Sequence, residues 1–328
     1  MKVLVLNHGA IEKLLLVSAC IDEMEAVLIS LARNQAYNPL RMIVSPPAAK
    51  GIMALMPAYV EGEPAAFGLK AIGVFHHNRA LGKDSHQGVV CLFNGETGEP
   101  LAFMNASAIT AIRTAAVSGV ATRILARADA AQLVIIGSGV QAYSHLAAMS
   151  LVRNIKRVRV ASRNRDNAEK FAAAMSAQYS FPIEAVNHIE AAVRGADLIV
   201  TVTSSQHPVI RREWISDGAH LNAVGSSVPT SREIDAATVA AAKLFVDRRE
   251  SALNEAGDYI LAVKEGVISP SHIQAEIGEV LIGEKPGRRS PSEITLFKSL
   301  GLAVEDLASA KYLYRRALEL KEGSWVEF

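Results

Sequence analysis

The sequence predicts an α/β protein in which a doubly wound parallel sheet is joined to a second, α+β domain. Three observations carry that reading. From Val134 to about Asp247, strand-length apolar runs alternate with helix-length amphipathic stretches; before Asn105, strand-like runs follow one another across turns; and GSGVQA (137–142) sits between an apolar run and a helical pattern. Strands that alternate with helices form parallel sheets covered on both faces, whereas strands joined by turns form antiparallel or mixed ones.

Taken in order, MKVLVLNHGAIEKLLL reads as a first strand and helix. Its apolar residues are broken by Asn7, His8, Glu12 and Lys13 and it lacks a small-residue cleavage site, so a signal peptide is not expected. RMIVSPP, GIMALMPAYV, FGLKAIGVF, GVVCLFN and EPLAFMN are strand-like, and NGETGEP between the last two is a turn of Gly, Asn and Pro. SAITAIRTAAVSGVATRILARA is an alanine-rich helix of about five turns, with Ser107 as its N-cap. LVIIG, RVRVAS, IEAV, LIVTVTS, HLNAVGS and KLFVD then supply six strands, which fits a complete doubly wound sheet. DNAEKFAAAMSAQY and IEAAVRGA are helical stretches between them, and PSEITLFKSLGLAVEDLASAKYLYRRALEL reads as one or two closing helices.

Composition excludes several classes. The 328 residues suffice for two domains, half of them hydrophobic and one fifth charged, with a formal net charge of +1. Such a chain is not disordered, and it has no general basic surface for nucleic acid or an anionic membrane. No apolar run approaches the roughly 20 residues that span a bilayer. The two cysteines, Cys20 and Cys91, show no metal-ligand spacing. They are expected to be reduced and buried in a cytoplasmic protein without a metal centre.

The glycine-rich turn has the form G-x-G-x-x-A between strand and helix, the context of a Rossmann-type dinucleotide site. Gly137 allows the tight turn, Gly139 the close approach of a pyrophosphate, and Ala142 the close packing of helix on strand; Val140 and Gln141 open the helix whose free N–H groups face the anion. About 20 residues on, an acidic residue at the tip of the second strand normally bonds the ribose of NAD. RVRVASRNR ends instead in Ser162, Arg163, Asn164 and Arg165, with no carboxylate before Asp166. Arginine pairs with a 2′-phosphate through charge-assisted bonds, so the expected cofactor is NADP, with NADPH preferred over NADH. Arg163 is the expected pairing residue, with Ser162 and Asn164 as donors and Asn167 in the same contact set. The plainer alternative is a set of solvated arginines at a strand end. Thr203 and Ser204 end the fourth strand and Val224 the fifth, and such carboxyl ends face the ligand crevice of a doubly wound sheet.

Over nearly its whole length the chain resembles the ornithine cyclodeaminase/mu-crystallin family. The resemblance rests on MPAY (56–59), GLKAIGVF (68–75), DSHQGVVCLFNGETGEPLA (84–102), ITAIRTAAVSGVATRILA (109–126), GSGVQA, GAHLNAVGSSVP (218–229) and LFKSLGLAVED (296–306). It implies a nucleotide-binding domain over 113–301, and a substrate-binding and dimerisation domain made of 1–112 with 302–328. It also implies a homodimer acting on a small α-imino or α-amino acid with a nicotinamide cofactor. Family members cyclise ornithine with loss of ammonia, deaminate alanine oxidatively, or reduce cyclic ketimines, and some bind hormones.

The same resemblance assigns residues. Arg41 and Arg113 match the arginines that hold the substrate carboxylate, Arg113 also lying near the cofactor, and Lys70 matches the active-site lysine. Two guanidinium groups can hold a carboxylate bidentately, and a lysine in an apolar strand can have the depressed pKa that suits proton transfer. Ser85, His86 and Gln87 resemble the loop that reaches the cofactor from the first domain, Ser299 a cofactor contact from the C-terminal segment, and Glu255 and Asp258 a region near the substrate pocket. Met53, Met56 and Phe75 are candidates for setting substrate size.

One position departs from part of the family. Where cyclodeaminases and alanine dehydrogenases carry an aspartate two residues before the proline of this loop, the chain has Ser227, as mu-crystallin-type members do. Serine takes up no proton near neutral pH, but its hydroxyl can accept a hydrogen bond from an iminium or amine. The expected function is therefore NADPH-dependent reduction of cyclic imino acids of the pyrroline-2-carboxylate or piperideine-2-carboxylate type, with Lys70 and Ser227 in chemical roles. Ornithine cyclodeaminase or an amino-acid dehydrogenase is the alternative, and a non-catalytic, cofactor-gated binder the third.

Overall fold

The computed structural model describes Met1 to Phe328, except for the side chains of His76, Arg79 and Ala80. The chain divides into two compact units, Met1–Thr114 with Gly301–Phe328, and Ala115–Leu300. Its strands are β1 (Lys2–Leu6), β2 (Ala36–Tyr37), β3 (Met42–Val44), β4 (Ile52–Val60), β5 (Ala66–Val74), β6 (His86–Asn94), β7 (Pro100–Asn105), β8 (Gln132–Ile136), β9 (Arg157–Ala161), β10 (Ile183–Ala185), β11 (Leu198–Thr201), β12 (His220–Ala223), β13 (Lys243–Val246), β14 (Ile273–Glu276), β15 (Thr295–Lys298) and β16 (Ser324–Glu327).

The first unit holds a mixed sheet in the order β16-β1-β7-β6-β5-β4-β2, with β3 also paired to β4. β4 to β7 form an antiparallel meander, while β1 runs parallel to β7. Period-two alternation decides which side chains face inward. Ala54, Met56, Ala58, Ala66, Lys70, Ile72, Val90 and Leu92 are buried on one face, against which helix Ala303–Leu320 packs. Met53, Phe67 and Tyr37 point the other way and stay exposed, while Leu55, Tyr59 and Leu69 on that face are half-buried. Met56 is thus directly opposite Lys70 in register, whereas Met53 sits on the outer face and drops out as a neighbour of the lysine.

The second unit is an entirely parallel sheet of eight strands, β10-β9-β8-β11-β12-β15-β13-β14, a Rossmann-type doubly wound order. The expected six strands become eight. β15 lies in the stretch read as closing helix, and it pairs with β12 on one side and β13 on the other. Four apolar-flanked residues, TLFK, show no periodicity of their own; pairing on both sides makes them a strand, buried throughout.

Two local expectations also change. Helix Ala106–Leu125 is capped by Asn105, whose Oδ1 accepts from Ala108 N at 3.0 Å, while Ser107 donates its hydroxyl to Asp84. Asn in the N-cap position satisfies a helix N–H that a serine two residues later cannot reach. By length and composition this helix alone among the described residues could cross a bilayer, but most of it is buried inside the protein, as a core helix is. Cys20 is buried as expected; Cys91, on the outer face of β6, is half-buried.

Candidate active site

In the first unit, charged side chains converge under the mixed sheet. Lys70 projects from the inner face of β5, and its Nζ lies 2.6 Å from Asp306 Oδ2. Arg113, from helix Ala106–Leu125, donates through Nε to Asp306 Oδ1 at 3.0 Å and through Nη1 to Glu305 Oε2 at 2.8 Å. Arg41, just before β3, donates to the carbonyl of Gly301 at 3.1 Å. Glu305 and Asp306 stand in the first turn of helix Ala303–Leu320, where the helix dipole favours negative charge, and Asn38 Oδ1 accepts the N–H of Val304 in that turn.

The electrostatics follow from burial. Lys70, Arg113, Glu305 and Asp306 are all sealed from water. Desolvation pushes the Lys70 pKa down to about 8; Asp306 opposes the shift, and Arg113 and Arg41 add to it. The Asp306 carboxyl is held below its usual range by Arg113 and Lys70, which outweigh its own burial. Lys70, Arg113 and Arg41 thus gather around Glu305, Asp306 and the Gly301 carbonyl. Guanidinium groups are the side chains suited to hold a carboxylate, and beside them stands an ammonium with a lowered pKa.

In the second unit, the strand ends have the shape of a dinucleotide cradle. Gly137 has φ +115°, a conformation L side chains rarely adopt, and a Cβ there would sit 2.6 Å from the carbonyl oxygen of Val202. Gly139 is the extended N-cap of helix Val140–Val152, whose N-cap makes no side-chain hydrogen bond; Val140 is 61% exposed, Gln141 is half-buried and Ala142 is buried against the sheet. Backbone N–H groups at such a turn suit a pyrophosphate. Ser138 donates to Ser162 Oγ at 3.0 Å, joining the turn to the tip of β9.

That tip treats its polar residues differently. Asn164 is the N-cap of helix Arg165–Ser176, its Oδ1 accepting from Asn167 N, so only its amide nitrogen is left to donate. Arg165 is turned along the helix, 2.6 Å from Glu169. Arg163 is exposed and has no carboxylate partner among the described residues. Around the remaining loops, Ser204 is exposed, Ser227 and Val224 are half-buried, and Ser299 is buried, its N–H bonded to the Ala223 carbonyl. The turn after β12 is tied by Ser226, whose hydroxyl donates to the Ser231 carbonyl; this is the duty a turn-capping serine would perform, and it falls to Ser226 rather than Ser227. In the first unit, Ser85 Oγ and His86 Nδ1 are 3.1 Å apart at the start of β6, with His86 exposed.

A buried network in the second unit went unnoticed in the sequence. Glu233 accepts from Thr203 N at 2.7 Å, Gly225 N at 2.6 Å and Thr201 Oγ1 at 2.8 Å. Asp258 Oδ1 accepts from the N–H groups of Glu233 and Ile234, and its Oδ2 lies 3.0 Å from Lys298 Nζ. Burial raises the Glu233 pKa, with Asp258 adding to the rise; Lys298 and the bonds from Thr203 and Thr201 oppose it. Asp258 is buried within this network, whereas Glu255 stays half-buried at the end of helix Arg249–Glu255. The signal for the network was faint: Glu233 follows a Ser/Thr-rich turn, and Lys298 interrupts an apolar run. Two buried histidines, His145 and His220, are pushed by burial to about 4 and about 3, so both stay neutral at physiological pH.

Comparison with known proteins identifies the family and the fold. The model of the ornithine cyclodeaminase/mu-crystallin family matches residues 1–321. The chain is 38% identical over 326 residues to a Delta(1)-pyrroline-2-carboxylate reductase of Bacillus cereus, covering 99% of this chain and all of that protein. It is 40% identical over 300 residues to the ketimine reductase mu-crystallin of Mus musculus, covering 90% of this chain and 91% of that one. Among solved structures, the Thermococcus litoralis Delta(1)-pyrroline-2-carboxylate reductase in complex with NADH and L-proline superposes with a TM-score of 0.95 and 40% identity, over 98% of this chain and 99% of that one.

Proposed function

The chain belongs to the ornithine cyclodeaminase/mu-crystallin family, and from that premise we propose that it reduces small cyclic imino acids of the pyrroline-2-carboxylate or piperideine-2-carboxylate type. The observation that carries this reading is the sealed Lys70–Asp306 pair beside Arg113, with Arg41 close enough to depress the lysine. Reduction of a carbon–nitrogen double bond needs a held carboxylate, a hydride for carbon and a proton for nitrogen. Arg41 and Arg113 hold the carboxylate, Lys70 hands over the proton, and the Ser227 hydroxyl accepts a hydrogen bond from the nitrogen. A nicotinamide cofactor, when bound, supplies the hydride. The Gly137–Ala142 turn holds its pyrophosphate, and Thr203, Ser204, Val224 and Ser299 border its nicotinamide half.

The reading extends to the choice of cofactor. NADPH is preferred over NADH because Arg163 is a free cation at a strand tip without a carboxylate. The Thermococcus litoralis relative holds NADH in its complex, so this preference rests on the residues of this chain. The first unit also dimerises: the outer sheet face carries Met53, Phe67 and Tyr37 exposed, and Leu55, Tyr59 and Leu69 half-buried, an apolar surface of the kind that subunits cover. Sedimentation of wild type and Phe67→Asp tests this, the wild type running as a dimer and the variant as a monomer.

The function is tested by following NADPH absorbance with each imine. Turnover on at least one is expected; no turnover, together with ammonia release from ornithine or alanine, would overturn the reading.

A further inference from the structure

Glu233 is buried and faces neither solvent nor any open surface, yet its two oxygens receive three donors from the ends of two strands. Thr201 ends β11, Thr203 lies in the loop after it, and Gly225 follows β12. An amide in its place would turn an N–H toward one of those donors, so the arrangement requires an acceptor on both oxygens. A buried carboxylate costs several kcal/mol unless neighbours compensate it. Here the compensation is built in: Asp258 grips the backbone N–H of Glu233 and of Ile234 and is itself paired with Lys298. Lys298, in turn, donates to the carbonyl of Ala223, the last residue of β12.

The spacing of the loops is equally constrained. A Cβ on Gly225 would run into the carbonyl oxygen of Thr203 and come within 2.5 Å of Glu233 Oε1. The two loops therefore touch through backbone, with the carboxylate as the bridge. In a doubly wound sheet these carboxyl ends carry the ligand crevice. The Glu233 carboxyl group accepts three donors at once, which fixes both loops against it.

We propose that Glu233 is a positioning residue whose carboxylate, fixed by Asp258 and Lys298, locks the Thr203 and Gly225 loops into one rigid face for the nicotinamide half of the cofactor and holds Ser227 in register. The inference rests on the nicotinamide-dependent reading above. Glu233 itself touches neither cofactor nor substrate; it acts through Thr203, Gly225 and the turn that follows.

The test compares wild type, Glu233→Gln, Gly225→Ala and, as a packing control remote from these loops, Ile273→Val. NADPH affinity is read by fluorescence titration, and kcat and KM by turnover on the two imines. Glu233→Gln and Gly225→Ala are expected to lower kcat about 10- to 100-fold, as a displacement of about 1 Å does. NADPH affinity weakens with them, while KM for the imine changes little because its carboxylate is held by Arg41 and Arg113. Ile273→Val lowers only the melting temperature. The proposal falls if Glu233→Gln loses stability as the control does but keeps wild-type kcat and NADPH affinity. Should Glu233→Gln not fold, Gly225→Ala and Thr201→Val decide by the same readouts. If the wild type reduces no imine, the proposed function fails, yet the NADPH titration still tells whether Glu233 positions the loops.

Discussion

Lys70 Nζ and Asp306 Oδ2 lie 2.6 Å apart, and neither side chain is open to water. The pair decides how the lysine behaves. Burial lowers the lysine pKa and Asp306 opposes the shift, the balance lying near 8. The group is then charged at pH 7 and yields a proton readily, which is the property a general acid needs.

The first prediction concerns pH. With Lys70 as the acid, kcat for imine reduction stays level below neutrality and falls as pH rises through about 8, where the ammonium is lost. Lys70→Met removes the limb and lowers kcat by about 10²- to 10⁴-fold. The sign for stability is opposite. Because the folded pKa lies below the ordinary 10.5, the unfolded chain binds the extra proton between those values, and the Lys70 contribution to stability rises with pH across that window. Turnover and denaturation series from pH 6 to 10.5 check both; an activity profile flat to pH 9.5 would remove Lys70 from the acid's role.

Asp306→Asn leaves Arg113 and Lys70 buried with one carboxylate fewer. Breaking a buried pair in this way costs about 3–5 kcal/mol, which urea denaturation measures. The same change takes away the attraction that raises the Lys70 pKa, so the alkaline limb moves to lower pH. A variant of wild-type stability with an unmoved limb contradicts the coupling.

Arg163→Asp separates the two cofactors. Losing charge-assisted bonds worth about 1.5–3 kcal/mol weakens NADPH by about 10- to 100-fold and leaves NADH unchanged or slightly tighter. Equal losses for both, in parallel fluorescence titrations, mean that the arginine is only a surface charge.

Ser227→Ala probes the nitrogen side of the reaction. One neutral hydrogen bond is worth about 0.5–1.5 kcal/mol, so kcat/KM for the imine falls about 3- to 10-fold while NADPH affinity holds. Because Ser226 already ties this turn, the melting temperature changes little. A large drop in stability without a kinetic effect would instead assign Ser227 to the turn.

Much of the architecture was legible because pattern and structure share a cause. GIMALMPAYV and FGLKAIGVF were legible as strands, but both alternating sets of GIMALMPAYV are apolar, so only the folded sheet shows that Lys70 falls on the buried side. The glycine turn announces its strand and helix in the same way. What stayed hidden depends on partners distant in sequence. TLFK becomes a strand only because β12 and β13 flank it. Glu305 and Asp306 look like ordinary acidic residues opening a helix, and nothing local says that Arg113 and Lys70 come to meet them. Glu233 is hidden for the same reason, its donors lying 8 to 32 residues away.

The place of β15 has a consequence for how the protein is made. Its four residues fill the gap between β12 and β13, yet they come after both, and after β14, in the chain. A ribosome must therefore deliver nearly the whole sequence before the sheet can close. Until then the facing edges of β12 and β13 offer unpaired N–H and C=O groups to any neighbouring chain. A product truncated before Thr295 keeps those two open edges, and aggregation, rather than a smaller working nucleotide domain, is its expected fate.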